Sequence, residues 1–194
     1  MANQNGQRFV ETMRSWLSGL PHDLKILFEA TTDENLSREA RELATGAIIY
    51  VVSPNDMVSN DGDSFAGYAD DCIMLRLALQ KALAEKDEDN DFFKSRFPEF
   101  FESLQAELEI CQGAMPELFA WLETKIPLLL KLEHKSKKVK QYLDDDELSE
   151  QLYEDGLEFR TEYPVDEDDL ADRFKKASTV IEGMQRRKDQ ENRQ

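Results

Sequence analysis

Five aspartates lie in one short stretch of the chain, "YVVSPNDMVSNDGDSFAGYADD", which spans residues 50–71. They are Asp56, Asp61, Asp63, Asp70 and Asp71. Carboxylate oxygens are hard ligands, so a site built from them would favour magnesium, calcium or manganese over zinc. The best candidate metal ligands are Asp56, Asp70 and Asp71. Paired carboxylates could also serve acid–base catalysis, but that chemistry requires a cleft as well.

The spacing of these aspartates does not match a calcium-binding EF-hand loop. Such a loop has acids at positions 1, 3 and 5, glycine at position 6 and glutamate at position 12. A loop starting at Asp61 would instead place Phe65, Ala66 and Cys72 at positions 5, 6 and 12. A calcium or magnesium site at this corner would therefore be of another kind.

The chain's two histidines are distant from the aspartates in sequence, so spacing predicts no transition-metal site. His134 lies in a lysine-rich stretch, and we expect its side chain to be solvated. His22 follows Pro21, and we expect it to be exposed in a turn or to cap a helix. No pairing of a nucleophile with a base, and no phosphate-binding loop, is visible, so no catalytic residue is predicted.

The simpler interpretation of the aspartate-rich stretch is structural. Pro54 disfavours helix at the residue before it, so an apolar helix should end at Ser53. The Asn, Asp and Gly residues that follow are turn formers. Asp70 and Asp71 then fall in the first turns of a second apolar helix, where the helix dipole favours anions. This interpretation predicts a helical hairpin with a polar corner.

Helical periodicity dominates the rest of the chain. A first helix over Gln7–Leu20 should stop at Gly19 and Pro21, with a short second piece after it. Ser37 is the predicted N-cap of the first hairpin helix, and residues 85–91 form a charged break. Pro98 and Pro116 suit the starts of later helices, and Pro127 kinks or restarts the chain.

The last predicted helix has an apolar stripe at steps of three and four residues. Its members are Leu170, Phe174, Ala177, Ile181 and Met184. This stripe should pack on the other helices, leaving residues 189–194 as a disordered tail. The predicted fold is a single all-α domain over residues 1–194, a bundle of about seven or eight helices.

Charge is strongly acidic and unevenly distributed. The formal net charge is −17, which disfavours broad electrostatic attraction to nucleic acid or to anionic membranes. Residues 144–172 contain fourteen acidic residues and one basic residue, Arg160. This acidic segment could meet a basic partner, or it could pair internally with the flanking lysines; both alternatives stay open.

Two cysteines, Cys72 and Cys111, lie in apolar helical patterns and have no CxxC spacing. They indicate reduced, buried thiols in a cytoplasmic protein. The N-terminal residues lack the pattern of a signal peptide, and no apolar run approaches the length of a membrane span.

Eight positions of the hairpin resemble the YkvA family, a domain of unknown function built on a helical hairpin. The family pattern is an apolar helix ending in Tyr-x-x-Ser-Pro-x-Asp, an Ile-Pro-Asp turn, and Gly-Tyr-x-Asp-Asp opening a second apolar helix. The matching residues are Tyr50, Ser53, Pro54, Asp56, Gly67, Tyr68, Asp70 and Asp71. The turn differs, since "VSND" replaces Ile-Pro-Asp. The resemblance covers residues 34–85 and implies a hairpin fold, with no established activity.

These observations predict a non-catalytic cytoplasmic interaction or regulatory protein whose acidic surface meets a protein partner, which could be basic. Neither nucleic acid nor membrane is an expected partner, and the oligomeric state is not predicted. No cofactor is predicted. The alternative is a divalent-metal-binding protein that holds calcium or magnesium with Asp56, Asp70 and Asp71.

Overall fold

The structure, a computed structural model, describes residues 2–53, 65–165, 170 and 175–191. It is an all-α multi-helix bundle with one two-stranded antiparallel sheet in the described part, which confirms the predicted fold class. The elements are α1 (Ala2–Thr32), α2 (Arg38–Val52), α3 (Phe65–Ala82), α4 (Glu88–Ser95), α5 (Pro98–Ala114), α6 (Pro116–Glu123), α7 (Ile126–Leu129), β1 (Glu133–His134), β2 (Lys137–Lys138), α8 (Val139–Asp144), α9 (Asp146–Glu162) and α10 (Ala177–Glu191). None of the described helices is both long and apolar enough to span a bilayer.

Helix α1 passes through Pro21, so the prediction that it stops there is wrong. Proline has no N–H to donate, which should leave the carbonyl of Leu17, four residues earlier, without its helical donor. Tyr163 supplies a donor instead, because its hydroxyl donates to the Leu17 carbonyl at 2.8 Å. Leu20 and Leu24 are also buried on this helix. Tertiary contacts therefore offset the cost of a proline inside the helix.

Helices α1, α2 and α3 form the centre of the bundle, where they pack against one another. Helix α2 begins as predicted, since the Ser37 hydroxyl accepts the N–H of Ala40 at 3.1 Å. It ends at Val52 with Ser53 as its C-cap, also as predicted. Both cysteines are free and buried, and burial raises the pKa of Cys111 to about 12.

One ion pair lies inside this centre. Arg76 on α3 donates to Asp23 on α1 at 2.5 Å, and both side chains are about nine-tenths buried or more. The guanidinium also lies 4.2 Å from the ring centroid of Trp16 and donates to the Cys72 carbonyl at 3.2 Å. Arg76 is thus held by contacts on several sides.

Local sequence signals correctly predict where the helices in the middle of the chain begin, with two exceptions. Pro98 and Pro116 open α5 and α6, as predicted. However, α4 begins inside the predicted charged break, because the Asp87 carboxylate accepts the N–H of Asn90 at 2.7 Å and Phe93 is fully buried. The lysine-rich stretch forms the β1–β2 hairpin, which its helical periodicity does not predict.

The last helix packs against α3, α1 and α6, as predicted for the apolar stripe. It begins at Ala177, so it does not run unbroken from Leu170, and Val180 and Met184 are its fully buried side chains. Phe174 lies outside the described residues. The helix continues to Glu191, inside the stretch predicted as a tail; residues 192–194 lie outside the described part.

Gly46 lies where α2 touches the backbone of α7, and this contact leads to a prediction. A Cβ at Gly46 would lie 2.5 Å from the Leu129 carbonyl oxygen, a backbone atom that cannot rotate away. Gly46→Ala should therefore destabilise the protein by about 1–3 kcal/mol, although alanine is the better helix former. Gly113 in α5 has nothing within 4 Å, so Gly113→Ala should leave stability unchanged or raise it. Urea unfolding measures the free energy of unfolding of both variants. A Gly46→Ala protein that is more stable than the parent would contradict the close contact between α2 and α7.

Candidate functional site

The structure places the hairpin residues in three different situations. Pro54 and Asp56 lie outside the described residues, and Gly67 lies on α3. Asp70 and Asp71, in the early turns of α3 as predicted, are essentially inaccessible, with 0% and 1% of their surface exposed. Within the described part of the chain, no three potential ligand side chains cluster as a metal site would require. The metal assignment of Asp56, Asp70 and Asp71 therefore gains no support, and it stays untested.

Tyr50 ties the two hairpin helices together. Its hydroxyl donates to Asp70 Oδ2 at 2.6 Å, from the last turns of α2 to the second turn of α3. Tyr68 is half-buried and packs edge-on against Tyr163, with ring centroids 5.0 Å apart. The Tyr50 hydroxyl therefore links the end of α2 to the start of α3.

Removing that hydroxyl should destabilise the hairpin. Tyr50→Phe keeps the ring but takes a donor from the buried Asp70 carboxylate, at an expected cost of about 1–3 kcal/mol. Thermal unfolding measures the loss, and the same assay with chelator or excess magnesium or calcium tests the metal alternative. Stability that rises with an added ion in the parent, but not in Asp70→Asn, would assign the aspartates to an ion site.

Ser53, His134 and Asp155 form a hydrogen-bonded relay. Ser53 Oγ lies 3.1 Å from His134 Nδ1, and His134 Nε2 lies 2.7 Å from Asp155 Oδ2. An ionised carboxylate only accepts, so Nε2 carries the proton and donates it to Asp155. In the neutral imidazole, Nδ1 is then the acceptor that faces the serine hydroxyl. Three side chains from α2, β1 and α9 thus have the order of a serine nucleophile, its base and the group that orients the base.

Each member of the relay is held by its element. Ser53 is fixed as the C-cap of α2, and its N–H donates to the Ile49 carbonyl at 3.0 Å. The carbonyl of His134 accepts from the buried Tyr142 hydroxyl at 2.7 Å. The tight turn after His134 has φ values of 48° at Lys135 and 64° at Ser136, which reverses the chain and pairs β1 with β2.

Asp155 is held in its ionised form. Burial by itself would raise its pKa, but hydrogen bonds from Lys135 and His134 outweigh burial and lower the pKa below its ordinary value. The Lys135 ammonium donates to Asp155 Oδ1 at 2.6 Å while His134 occupies the other oxygen. The carboxylate therefore remains an acceptor near neutral pH.

The expectation that His134 is solvated is wrong, since only 7% of its surface is exposed. Its lysine neighbours suggested a polar face, but the hairpin turns His134 inward while those lysines remain exposed. The sequence gives no sign that Asp155 is a functional residue, because it is one of many acidic residues in its segment. His22 is exposed as expected, although it lies inside α1.

The relay opens onto a cleft of about 410 Å³. Aromatic side chains from α3, from α9 and from just after α9 form one wall: Tyr68, Phe159 and Tyr163. Glu158 and Glu162 stand at its exposed edge. The volume falls within the range of roughly 300–1,000 Å³ typical of small-molecule sites.

The outer side of α9 carries a second feature, which we call the acidic face. Its carboxylates are exposed, and no ion pair joins them to another described residue: Asp146, Glu147, Glu150, Glu154, Glu158 and Glu162. Leu157 and Tyr153 lie on or beside this face with 44% and 51% of their surface exposed. Internal pairing within the described part of the segment involves Asp144 with Arg38, and Asp155 with Lys135 and His134. Most of the acidic charge on α9 therefore has no cation partner among the residues that the structure describes.

Comparisons with protein-family models, with curated proteins and with solved structures find no match to this chain. The resemblance of residues 34–85 to the YkvA family therefore stays a prediction, carried by the hairpin residues themselves.

Proposed function

We propose that the protein is a cytoplasmic interaction protein that binds a basic segment of a protein partner through the acidic face of α9. The observation that supports this proposal is the set of exposed carboxylates on α9 that form no ion pair with another described residue. Internal pairing is the competing explanation of the acidic segment, and among the described residues it involves Asp144 and Asp155.

The chemistry of the face describes the partner. Carboxylates spaced along a helix attract lysine and arginine side chains, while Leu157 and Tyr153 offer apolar surface to a residue beside them. The complementary ligand is an amphipathic segment with several basic residues around one or two apolar ones. Because the charges are exposed, salt should weaken such binding: the Debye length is about 8 Å at physiological ionic strength.

Site-specific crosslinking tests the proposal. A photo-reactive phenylalanine derivative in place of Leu157 should crosslink a protein through a basic segment, and the yield should fall as salt rises. The control is the same derivative in place of Leu128, whose exposure is also 44% but which lies on a different helix, α7. A Leu157 crosslink no stronger than the Leu128 crosslink would contradict the proposal.

A charge-matched pair of variants separates a specific face from net charge. The combination Glu147→Gln, Glu150→Gln and Glu154→Gln should abolish the Leu157 crosslink. The control combination Glu102→Gln, Glu117→Gln and Glu123→Gln removes the same charge from exposed positions of α5 and α6 and should leave it intact. Equal loss in both would show that only the overall charge of the protein matters.

A further inference from the structure

We propose that Ser53 is a nucleophilic serine that accepts an acyl group from a carboxylic ester bound in the cleft beside it, with His134 as base and Asp155 as the residue that orients the base. This activity goes beyond the binding function, and it departs from the sequence-based prediction of no catalytic residue. It depends on Ser53, His134 and Asp155, whereas the partner-binding test depends on Glu147, Glu150 and Glu154; Glu158 and Glu162 border both surfaces.

The geometry supplies what a serine nucleophile requires. An unassisted serine hydroxyl is a weak nucleophile, and a base within hydrogen-bonding distance activates it. His134 Nδ1 is 3.1 Å from Ser53 Oγ and faces it with a lone pair, because Asp155 fixes the proton on Nε2. Ser53 is only half-buried and lines the cleft, so a substrate can reach it.

Both oxygens of the Asp155 carboxylate have a partner, which indicates that the contact between Asp155 and His134 is not incidental. Lys135 donates to Asp155 Oδ1 at 2.6 Å. This hydrogen bond helps to keep the carboxylate ionised and leaves Oδ2 oriented toward the histidine. An ionised Asp155 stabilises the imidazolium that forms when His134 takes the serine proton. Lys135 is also the ammonium among the described residues lining the cleft, and so the candidate to stabilise negative charge on a substrate oxygen.

The reaction balances with water as the only co-reactant. Ser53 Oγ bonds to the ester carbonyl carbon while its proton moves to His134 Nδ1. The proton then passes to the leaving alkoxide as the carbon–oxygen bond breaks, which leaves an acyl group on Ser53. Water attacks this acyl-serine in the same way, with His134 accepting and then returning a proton, and releases the carboxylic acid.

The walls of the cleft indicate which esters it would take. Tyr68, Phe159 and Tyr163 present an aromatic wall suited to an apolar or aromatic acyl group. Glu158 and Glu162 at the edge have no cation partner among the described residues and would repel an anionic substrate. The expected class is therefore a small neutral or cationic ester, with anionic esters excluded by charge.

A fluorophosphonate probe tests the nucleophile on the full-length protein. An activated serine displaces fluoride from this reagent and gains a stable phosphonyl mass, which peptide mapping assigns to a residue. We expect a single adduct on Ser53, absent in Ser53→Ala and unchanged in Ser103→Ala. Ser103 is a half-buried serine lining the cleft of about 400 Å³ beside Trp16, which makes it a matched control.

The base is tested by rate rather than by stability. General-base assistance contributes roughly 10²–10⁴-fold, so His134→Gln should slow Ser53 labelling by at least about 100-fold. Asp155→Asn should slow it as well, and thermal unfolding reports whether each variant is folded. The parent protein should hydrolyse p-nitrophenyl butyrate faster than the p-nitrophenyl monoester of succinate.

Two results would overturn the inference. One is a parent protein in which Ser53 reacts no faster than Ser103. The other is a folded His134→Gln or Asp155→Asn protein that labels Ser53 at the parent rate. In either case, the relay is a structural clasp that joins α2, β1 and α9. The acidic-face crosslinks at Leu157 are measured separately, so failure here leaves the binding proposal standing.

Discussion

Replacing Asp23 with alanine should lower the free energy of unfolding by about 3–5 kcal/mol, because it leaves the charge of Arg76 buried without its partner. Only 5% of the Arg76 side chain and 10% of the Asp23 side chain are exposed. The guanidinium is held in place, since it lies over Trp16 and donates to the Cys72 carbonyl.

Removing both charges should cost less than removing one. Burial raises the pKa of Asp23 even though Arg76 opposes that change, so desolvation of the carboxylate outweighs its attraction to the arginine. An apolar pair of similar size avoids that penalty. Asp23→Leu combined with Arg76→Met should therefore be more stable than Asp23→Ala.

Urea unfolding of the single and double variants measures this coupling directly. Glu29→Ala is the control, because it breaks an ion pair with Arg96 that is about one-third exposed on each side and retains Asp33 as a second partner for that arginine. Its expected cost is about 0–1 kcal/mol. Asp23→Ala with an effect as small as Glu29→Ala would show that the interior pair is not buried in solution.

Replacing Met184 with aspartate should destabilise the protein by about 3 kcal/mol or more, because it removes buried apolar packing and puts a charge in its place. Met184 is 1% exposed and lies on α10, which packs against α3, α1 and α6. Ser178→Asp on the same helix adds the same charge at an exposed position and should change stability by less than about 0.5 kcal/mol.

Thermal and urea unfolding of both α10 variants provide the comparison. A Met184→Asp protein that unfolds at the same midpoint as the parent would show that α10 is detached from the bundle in solution. Its apolar stripe would then be a second partner-binding surface, next to the acidic face of α9.

Much of the fold follows from local sequence features. Ser37 begins a helix because its hydroxyl accepts a free N–H of the first turn, and Pro98 and Pro116 open helices because proline loses nothing there. The apolar stripes of the hairpin, with Asp70 and Asp71 in the first turns of α3, also follow from the pattern of neighbouring residues. These features depend on residues within one or two helical turns, so sequence alone determines them.

Two features of the structure depend on tertiary contacts rather than on local sequence: the continuation of α1 and the burial of His134. Pro21 should end α1, and the helix continues because Tyr163, far along the chain, donates to the carbonyl that the proline leaves free. His134 appears solvated among lysines, yet the β1–β2 turn points it inward between Ser53 and Asp155.

The relay and the acidic face both depend on which side of α9 meets the bundle. Asp155 lies on the inner side and finds two donors, whereas Glu150 and Glu154, one helical turn apart, face water. All three carboxylates are alike in sequence. Their different roles arise because segments that are distant in sequence pack against one side of the helix. The spacing of residues in the sequence does not predict such contacts.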